Sequence, residues 1–349
     1  MFLNLGGVGN WIWAYQPNQQ PGQTSPSVNI YPINSATPAL TVTRADIVAV
    51  APSATTLALL YNDDTFSVID LSGTIPVQAD YTIPPVNHAS IINQSVASAI
   101  NPSVGAFAAV SATQWVAGIG FGGRFASSGI MVDGASLPSS NPRYLGIGAT
   151  LSITGSSNNV AIATGSGRIF YFNPANTTPQ GSVSLTSGNV QLSSDGSVLA
   201  ASSQDDSLLN IYSLPAGTIS NTFSYSGQSA PGLLSGYNLS ASGATVGQIE
   251  TFGSTGNSPN YSLEITPISG SPTTLSLAPS PSGTVLLSPD GTLAALNVQT
   301  IETMDAYDIY EYSVPIYQNG QLIATLGDVA VGWLDNGRLL INQIGRAHV

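Results

Sequence analysis

The chain has no cysteine and no lysine, and only 7% of its 349 residues are charged. An average globular protein carries roughly 25%. Without lysine there is no Walker A lysine, no Schiff base and no Ser–Lys dyad. Without cysteine there is no thiol nucleophile, no disulfide and no Cys-ligated zinc. That absence suits an oxidising exterior, where a spare thiol is a liability. The six basic residues are all arginines, against eighteen acids, for a net charge of −12. Phosphate backbones are neutralised by Lys and Arg, so neither nucleic acid nor an anionic membrane surface is an expected partner. No apolar run approaches the length of a membrane span.

What is present is apolar and turn-rich. Hydrophobic residues make up 42% of the chain, with 36 Gly and 23 Pro, enough to argue for a core and against disorder. Both ends look incomplete. "MFLNLGGVGNWIW" has no basic n-region and no small-residue cleavage site, and it starts as though inside a strand. The last six residues, Ile344 to Val349 ("IGRAHV"), read like a translated sequencing adapter and are set aside. The domain is expected to span residues 1–343.

The clearest pattern is internal repetition. "SSDGSVLAAS" at 193–202 has relatives at 240–249, 288–297 and 334–343. Their turn glycines, Gly196, Gly243, Gly291 and Gly337, lie 46 to 48 residues apart. Weaker copies centre on Gly9, Thr55, Asn158 and the segment 108–118. A second motif follows each first one, as in "NIYSLPAGT" (210–218), "FSVIDLSGT" (66–74) and "NIYPINSAT" (29–37). Period-2 alternation, β-branched enrichment and Gly/Asn turns say strand throughout. The unit is strand a, tight turn, strand b, loop, strand c, turn, strand d, with starts near 1, 46, 100, 147, 188, 234, 283 and 328.

Four antiparallel strands in about 45 residues is the period of a β-propeller blade. The pattern resembles the WD-repeat-like propellers of bacterial surface and secreted proteins, although no Trp-Asp dipeptide closes strand c. The expected fold is all-β, a propeller of seven blades plus a partial eighth, or eight with the last cut off. A β-helix or stacked sandwiches are the alternatives. The resemblance implies a non-catalytic binding or scaffold module, extracytoplasmic, with functional residues crowded on the b–c loops.

Seven acids fall on that class of loop: Asp63 and Asp64, Asp205 and Asp206, Glu250, and Glu302 with Asp305. Asp308 lies at its margin. The expectation is an acidic face that meets a protein or carbohydrate partner; ordinary solvated turns are the alternative. Asp195, by contrast, reads as a turn residue. "ETMDAYDIYE" at 302–311 could offer oxygens to Ca2+ but lacks the EF-hand spacing; no other cofactor is expected. The hydrolase alternative, a glycosidase or lactonase, needs two carboxylates converging near the channel mouth. His88 is the one histidine left for a triad, and no G-x-S-x-G elbow accompanies it. "GIGFGG" at 118–123 has strand-like flanks, so its glycines read as turn or bulge positions rather than a dinucleotide loop. Trp11 and Trp13 share one strand face, fit for core packing or, alternatively, sugar stacking.

Overall fold

A computed structural model describes residues 4–16, 26–44, 46–52, 55–61, 65–82, 102–111, 114–121, 128–133, 143–144, 150–156, 158–173, 176, 178–185, 189–225, 233–252, 260–277, 281, 285–304 and 307–342. Among these residues every regular element is a strand. Sheet 1 holds β1–β4 (Asn4–Val8, Trp11–Gln16, Ser27–Pro32, Leu40–Thr43). Sheet 2 holds β5–β8 (Ile47–Pro52, Thr56–Tyr61, Thr65–Asp70, Val77–Thr82). Sheet 3 holds β9–β12 (Pro102–Ser111, Gln114–Phe121, Ser128–Asp133, Arg143–Tyr144). Sheet 4 holds β13–β16 (Thr150–Gly155, Val160–Thr164, Arg168–Phe172, Gly181–Ser184). Sheet 5 holds β17–β20 (Val190–Leu192, Val198–Ser202, Leu208–Ser213, Thr218–Ser224). Sheet 6 holds β21–β24 (Leu233–Leu239, Thr245–Phe252, Asn260–Pro267, Thr273–Leu277). Sheet 7 holds β25–β29 (Leu286–Leu287, Leu293–Ala295, Val298–Met304, Tyr307–Gln318, Gln321–Gly327). Sheet 8 holds β30 and β31 (Val329–Trp333, Leu339–Asn342).

The all-β propeller architecture is present. The expected count of seven blades with a partial eighth, or eight, is corrected: six sheets are regular four-stranded blades, each a meander in chain order. A five-stranded and a two-stranded sheet follow them. The physical cause of the departure sits at Pro315. The ladder between β28 and its neighbour runs without a register shift from Leu293 opposite Gln318 to Met304 opposite Tyr307. At its middle the Leu296 amide donates to the Pro315 carbonyl at 3.2 Å, but proline has no N–H to return the bond. The partner strand therefore breaks into β26 and β27 around Leu296 and Asn297. The break is used: Asn297 donates Nδ2 to the Ala330 carbonyl at 2.8 Å and accepts the Ala330 amide at 2.7 Å, clamping β30.

By its contacts the chain divides into two compact units. One comprises Val8–Ala201 and Leu214–Gly217; the other comprises Phe2–Gly7, Ser202–Ser213 and Thr218–Val349. In the first, Trp11 and Trp13 pack with Val28, Ile30, Leu57 and Leu59, so they belong to the core rather than to a sugar platform. In the second, Ile249 and Leu263 pack against Val285, Leu287 and Leu296. The second strands β6 (TLALLY) and β14 (VAIAT) are buried on both faces, whereas the last strand β20 is exposed. Apolar runs without alternation mark the former, and Thr/Ser-rich ones the latter.

The repeated Ser-x-Asp-Gly-Ser/Thr motif has a hydrogen-bond reason. In the β17–β18 turn the Ser193 hydroxyl takes the Val198 amide at 3.0 Å and donates to Asp195 at 2.7 Å. Asp195 also accepts from the Ser197 amide and hydroxyl. The same set recurs around Ser288, Asp290 and Thr292. Gly196 and Gly291 have φ of 72° and 77°, a region open to glycine. Each is also pressed against the preceding sheet. A Cβ on Gly291 would lie 2.5 Å from Thr245, and one on Gly196 would strike the Ser156 hydroxyl. The turn signal that set the repeat register thus also records how adjacent sheets touch.

Candidate functional site

The turn between β18 and β19 carries the expected pair Asp205 and Asp206. Its geometry copies the Asp195 turn. Ser203 Oγ takes the Leu208 amide at 2.9 Å and donates to Asp205 Oδ1 at 2.5 Å, and Ser207 donates both its amide and its hydroxyl to the same oxygen. These bonds, the Ser203 hydroxyl first, hold the Asp205 carboxyl down to about 2. Asp205 is therefore an ionised turn residue like Asp195, although exposed. Asp206 stands where the other turns have glycine, with φ of 55°. Its side chain is exposed, and its carbonyl accepts the Leu234 amide at 3.0 Å.

That last bond assembles the site. Leu234, the second residue of β21, lies opposite Glu250 on β22. The Asp205–Asp206 turn and Glu250 are thereby brought to one edge of the second unit. Glu250 is not in a loop, as expected, but on the strand, two residues before β22 ends at Phe252. Beside the turn, the Tyr225 amide bonds the Ser207 carbonyl at 2.9 Å. This directs the Tyr225 ring toward sheet 6, where its hydroxyl donates to Gln248 Oε1. Gln248 Nε2 donates to Glu264 Oε1 at 2.8 Å, and Thr266 Oγ1 donates to the same oxygen at 3.0 Å. Gln248 faces Glu264 across the β22–β23 ladder, and Glu250 faces Ser262 two residues on. Burial first, and then the Glu264 charge, raise the Glu250 carboxyl above its usual range. Burial and the same two carboxylates push the Tyr225 phenol far up, so it remains a neutral donor.

Glu264, Tyr225 and Gln248 were missed from sequence. Glu264 sits mid-strand in "YSLEITP", where a lone acid reads as a solvent-facing residue of an alternating strand. The available signal was the register. Gln248 and Glu250 are two apart on one strand and Glu264 lies on the next, so a face shared by two acids is implied once the hairpin is drawn.

The other expected acids are only partly placed. Glu302 lies on β27 opposite Ile309, and Asp308 lies on β28 opposite Thr303, so both flank the β27–β28 connection. Asp63, Asp64 and Asp305 lie outside the described residues, as do His88 and Ile344–Val349. Gly118 lies within β10 paired on both sides and Gly120 pairs with β9, so the described part of that stretch, up to Phe121, is strand rather than the opening of a helix. Among the described residues no group of three or more Asp, Glu, His or Cys is placed to hold a metal. Nor is any helix there long and apolar enough to cross a membrane.

Charge is distributed unevenly along the chain. From Ile169 to Gly337 there is no Lys, Arg or His, while twelve of the eighteen acids fall in that interval. Six of the eight expected site acids are among them and belong to the second unit.

No protein-family model matches the chain, and no curated protein matches it. Among solved structures, the β-propeller domain of Cps50 (Swd1) from Myceliophteria thermophila is similar at 13% identity. The match has a TM-score of 0.52 and covers 84% of this chain and 92% of that one. A mitotic checkpoint complex structure matches at 13% identity and TM-score 0.49, over 84% and 83% of the two chains. Kluyveromyces lactis Hsv2 matches at 10% and 0.49, over 93% and 98%. These structural neighbours are WD40 propellers, and the Cps50 likeness supports the propeller fold read from the sheets.

Proposed function

We propose that this propeller is a non-catalytic binding or scaffold module. Its second unit offers the surface around Asp206 and Glu250 to a basic partner, most simply a protein. The observation that carries this reading is the bond from the Leu234 amide to the Asp206 carbonyl, which sets two sequence-distant acids at one edge. An interval with twelve acids and no base supplies the field around them, and such a field raises encounter rates with cations. Glu302 and Asp308, which flank the β27–β28 connection, add to the negative charge of the same unit. The absence of cysteine and the likeness of pattern to secreted propellers favour an extracytoplasmic setting. No cofactor is required for this role.

Binding of an oligo-arginine peptide, measured by titration calorimetry at two salt concentrations, tests the reading. Asp206→Asn with Glu250→Gln is expected to weaken binding and flatten its salt dependence. Asp70→Asn in the first unit, whose carboxylate bonds its own Ser72 amide at 2.9 Å, is expected to leave it unchanged. Equal loss from both would mean a diffuse attraction and would sink the proposal. A hydrolase remains as the second reading, because Glu250, raised above its usual range, shares a sheet face with Glu264 in the manner of an acid and its partner. Turnover of glycoside or lactone substrates that Glu250→Gln abolishes would favour it over the binder.

A further inference from the structure

The strand β29, "QLIATLG", is unlike the other last strands. Six large hydrophobic residues are exposed among the described residues, and three of them lie on this one element: Leu322 at 56%, Ile323 at 52% and Leu326 at 37%. The register on β28 shifts between Ala324 and Leu322, leaving Ile323 without a partner in a bulge, and Leu322 and Ile323 both meet solvent there. Apart from the bulge at Ile323, the hydrogen-bonding edge lacks the usual guards. From Tyr312 to Gly327 there is no charged residue, and natural edges are ordinarily blunted by charge, proline or short length. The strand is seven residues long and, among the described residues, pairs with β28 alone.

The direction of its backbone groups follows from Pro315. The Pro315 carbonyl takes the Leu296 amide, so Pro315 points its backbone away from β29. In an antiparallel ladder the residue opposite then points its own N–H and C=O outward. That residue is Thr325. The edge therefore presents a backbone donor and acceptor at its centre, flanked by Ile323 and Leu326. At its far end the surroundings turn acidic. Asp328 follows β29 directly, and the exposed Glu311 lies on β28 just past the residue that pairs with Gly327.

We propose that β29 is a docking edge that accepts an extended peptide as an added strand, apolar along its length and basic at the end beside Asp328 and Glu311. Main-chain bonds to Thr325 give the affinity, and Leu322, Ile323 and Leu326 cover the alternate side chains, as in other strand additions. A second copy of this chain is the poorer occupant. It would bring another −12 of net charge to the same place, whereas a basic end complements it. This edge is independent of the surface around Asp206 and Glu250.

The test uses the full chain and a synthetic peptide of alternating valine and threonine with two arginines at one end, followed by fluorescence anisotropy. Thr325→Pro removes the outward N–H without touching a bond to β28, a position where an edge strand tolerates proline. Ile323→Lys adds a charge that both guards the edge and repels the probe, and it needs no backbone change. Each variant is expected to weaken the probe by about tenfold or more while the far-UV spectrum stays as in the wild type. The same peptide with glutamates for arginines is expected not to bind. Three results would each overturn the proposal: no binding to the wild type, undiminished binding to both variants, or a wild-type dimer in sedimentation that Thr325→Pro dissolves.

Discussion

Sheets 2 and 6 each anchor a polar cluster on a buried tyrosine, and they settle its charge in opposite ways. In sheet 2 the Tyr61 hydroxyl bonds Ser67 Oγ at 2.6 Å, and Ser67 donates to Asp80 at 2.5 Å, joined there by Gln78 at 2.8 Å. Arg44 lies over the Tyr61 ring at 3.7 Å and grips Asp46 with two bonds of 2.9 and 2.7 Å. Sheet 6 builds a similar relay from Tyr225 through Gln248 to Glu264, with Glu250 beside it, but its charged neighbours are carboxylates alone. The difference teaches which cluster is structural. A network that contains its own cation is complete within the fold. One that concentrates negative charge without a cation leaves that charge to be answered from outside, at some cost in stability.

The largest effect is expected from making sheet 2 resemble sheet 6. Arg44→Ala strips the cation from Asp46 and uncovers the Tyr61 ring, and should destabilise the protein by about 1–3 kcal/mol, read by urea denaturation. An unchanged midpoint would mean that the two clusters are energetically alike.

Next comes the pH response, which should have opposite sign in two neighbouring places. Glu250 binds its proton more tightly in the folded state than its ordinary value of 4.5 allows, because it is buried and feels the nearby Glu264 charge. Its contribution to stability is complete below that ordinary value and is lost as pH rises through the higher folded one. Asp205, held to about 2 by the serine bonds around it, contributes above its ordinary value of 3.8 and loses the contribution as pH falls through about 2. Amide-exchange protection factors at Ile249 and Leu263, corrected for the intrinsic pH dependence of exchange, should therefore rise on going from neutral to mildly acidic pH. Glu250→Gln should abolish that trend, and Asp205→Asn should leave it. A trend that survives Glu250→Gln would remove the carboxylate pair as its cause.

A smaller change should come from Glu264→Gln. The amide oxygen can still accept from Gln248 and Thr266, while the charge that raises Glu250 is gone. The Glu250 titration, followed by NMR, should move down toward the usual carboxylate range. If it stays put, burial alone sets it.

The smallest effect is expected at Asp206. Glycine adopts its left-handed conformation with less strain, so Asp206→Gly should be neutral or stabilising by a few tenths to about 1 kcal/mol in thermal melts. The same variant should weaken oligo-arginine, which separates the residue's contribution to binding from its contribution to the turn. A clear loss of stability would show that the Asp206 side chain holds the turn as Asp205 does.

Much of this was legible in the chain. Gly196, Gly243 and Gly291 fixed the register because their turns need positive φ, a local requirement that sequence displays directly. The strand order within sheets 1 to 6 followed from those turns, since a tight hairpin leaves a strand one neighbour. Sheet 7 did not follow. Pro315 interrupts its ladder only because of what lies across from it, and "Leu293–Met304" reads as one strand until the partner is known. The acids divide in the same way. Asp205 could be recognised as a turn residue by comparing it with Asp195, as both stand two after a serine and two before another.

The sequence by itself determined the repeat, the strands and the surplus of negative charge, because turn chemistry, side-chain alternation and composition are local or additive. Only the tertiary structure decided which acids meet. Glu250 and Glu264 share a face through the register of β22 on β23, and Asp206 joins them through one backbone bond to β21. The first depends on the exact register of a hairpin and the second on a bond between two different sheets, and no residue type at either end announces its partner.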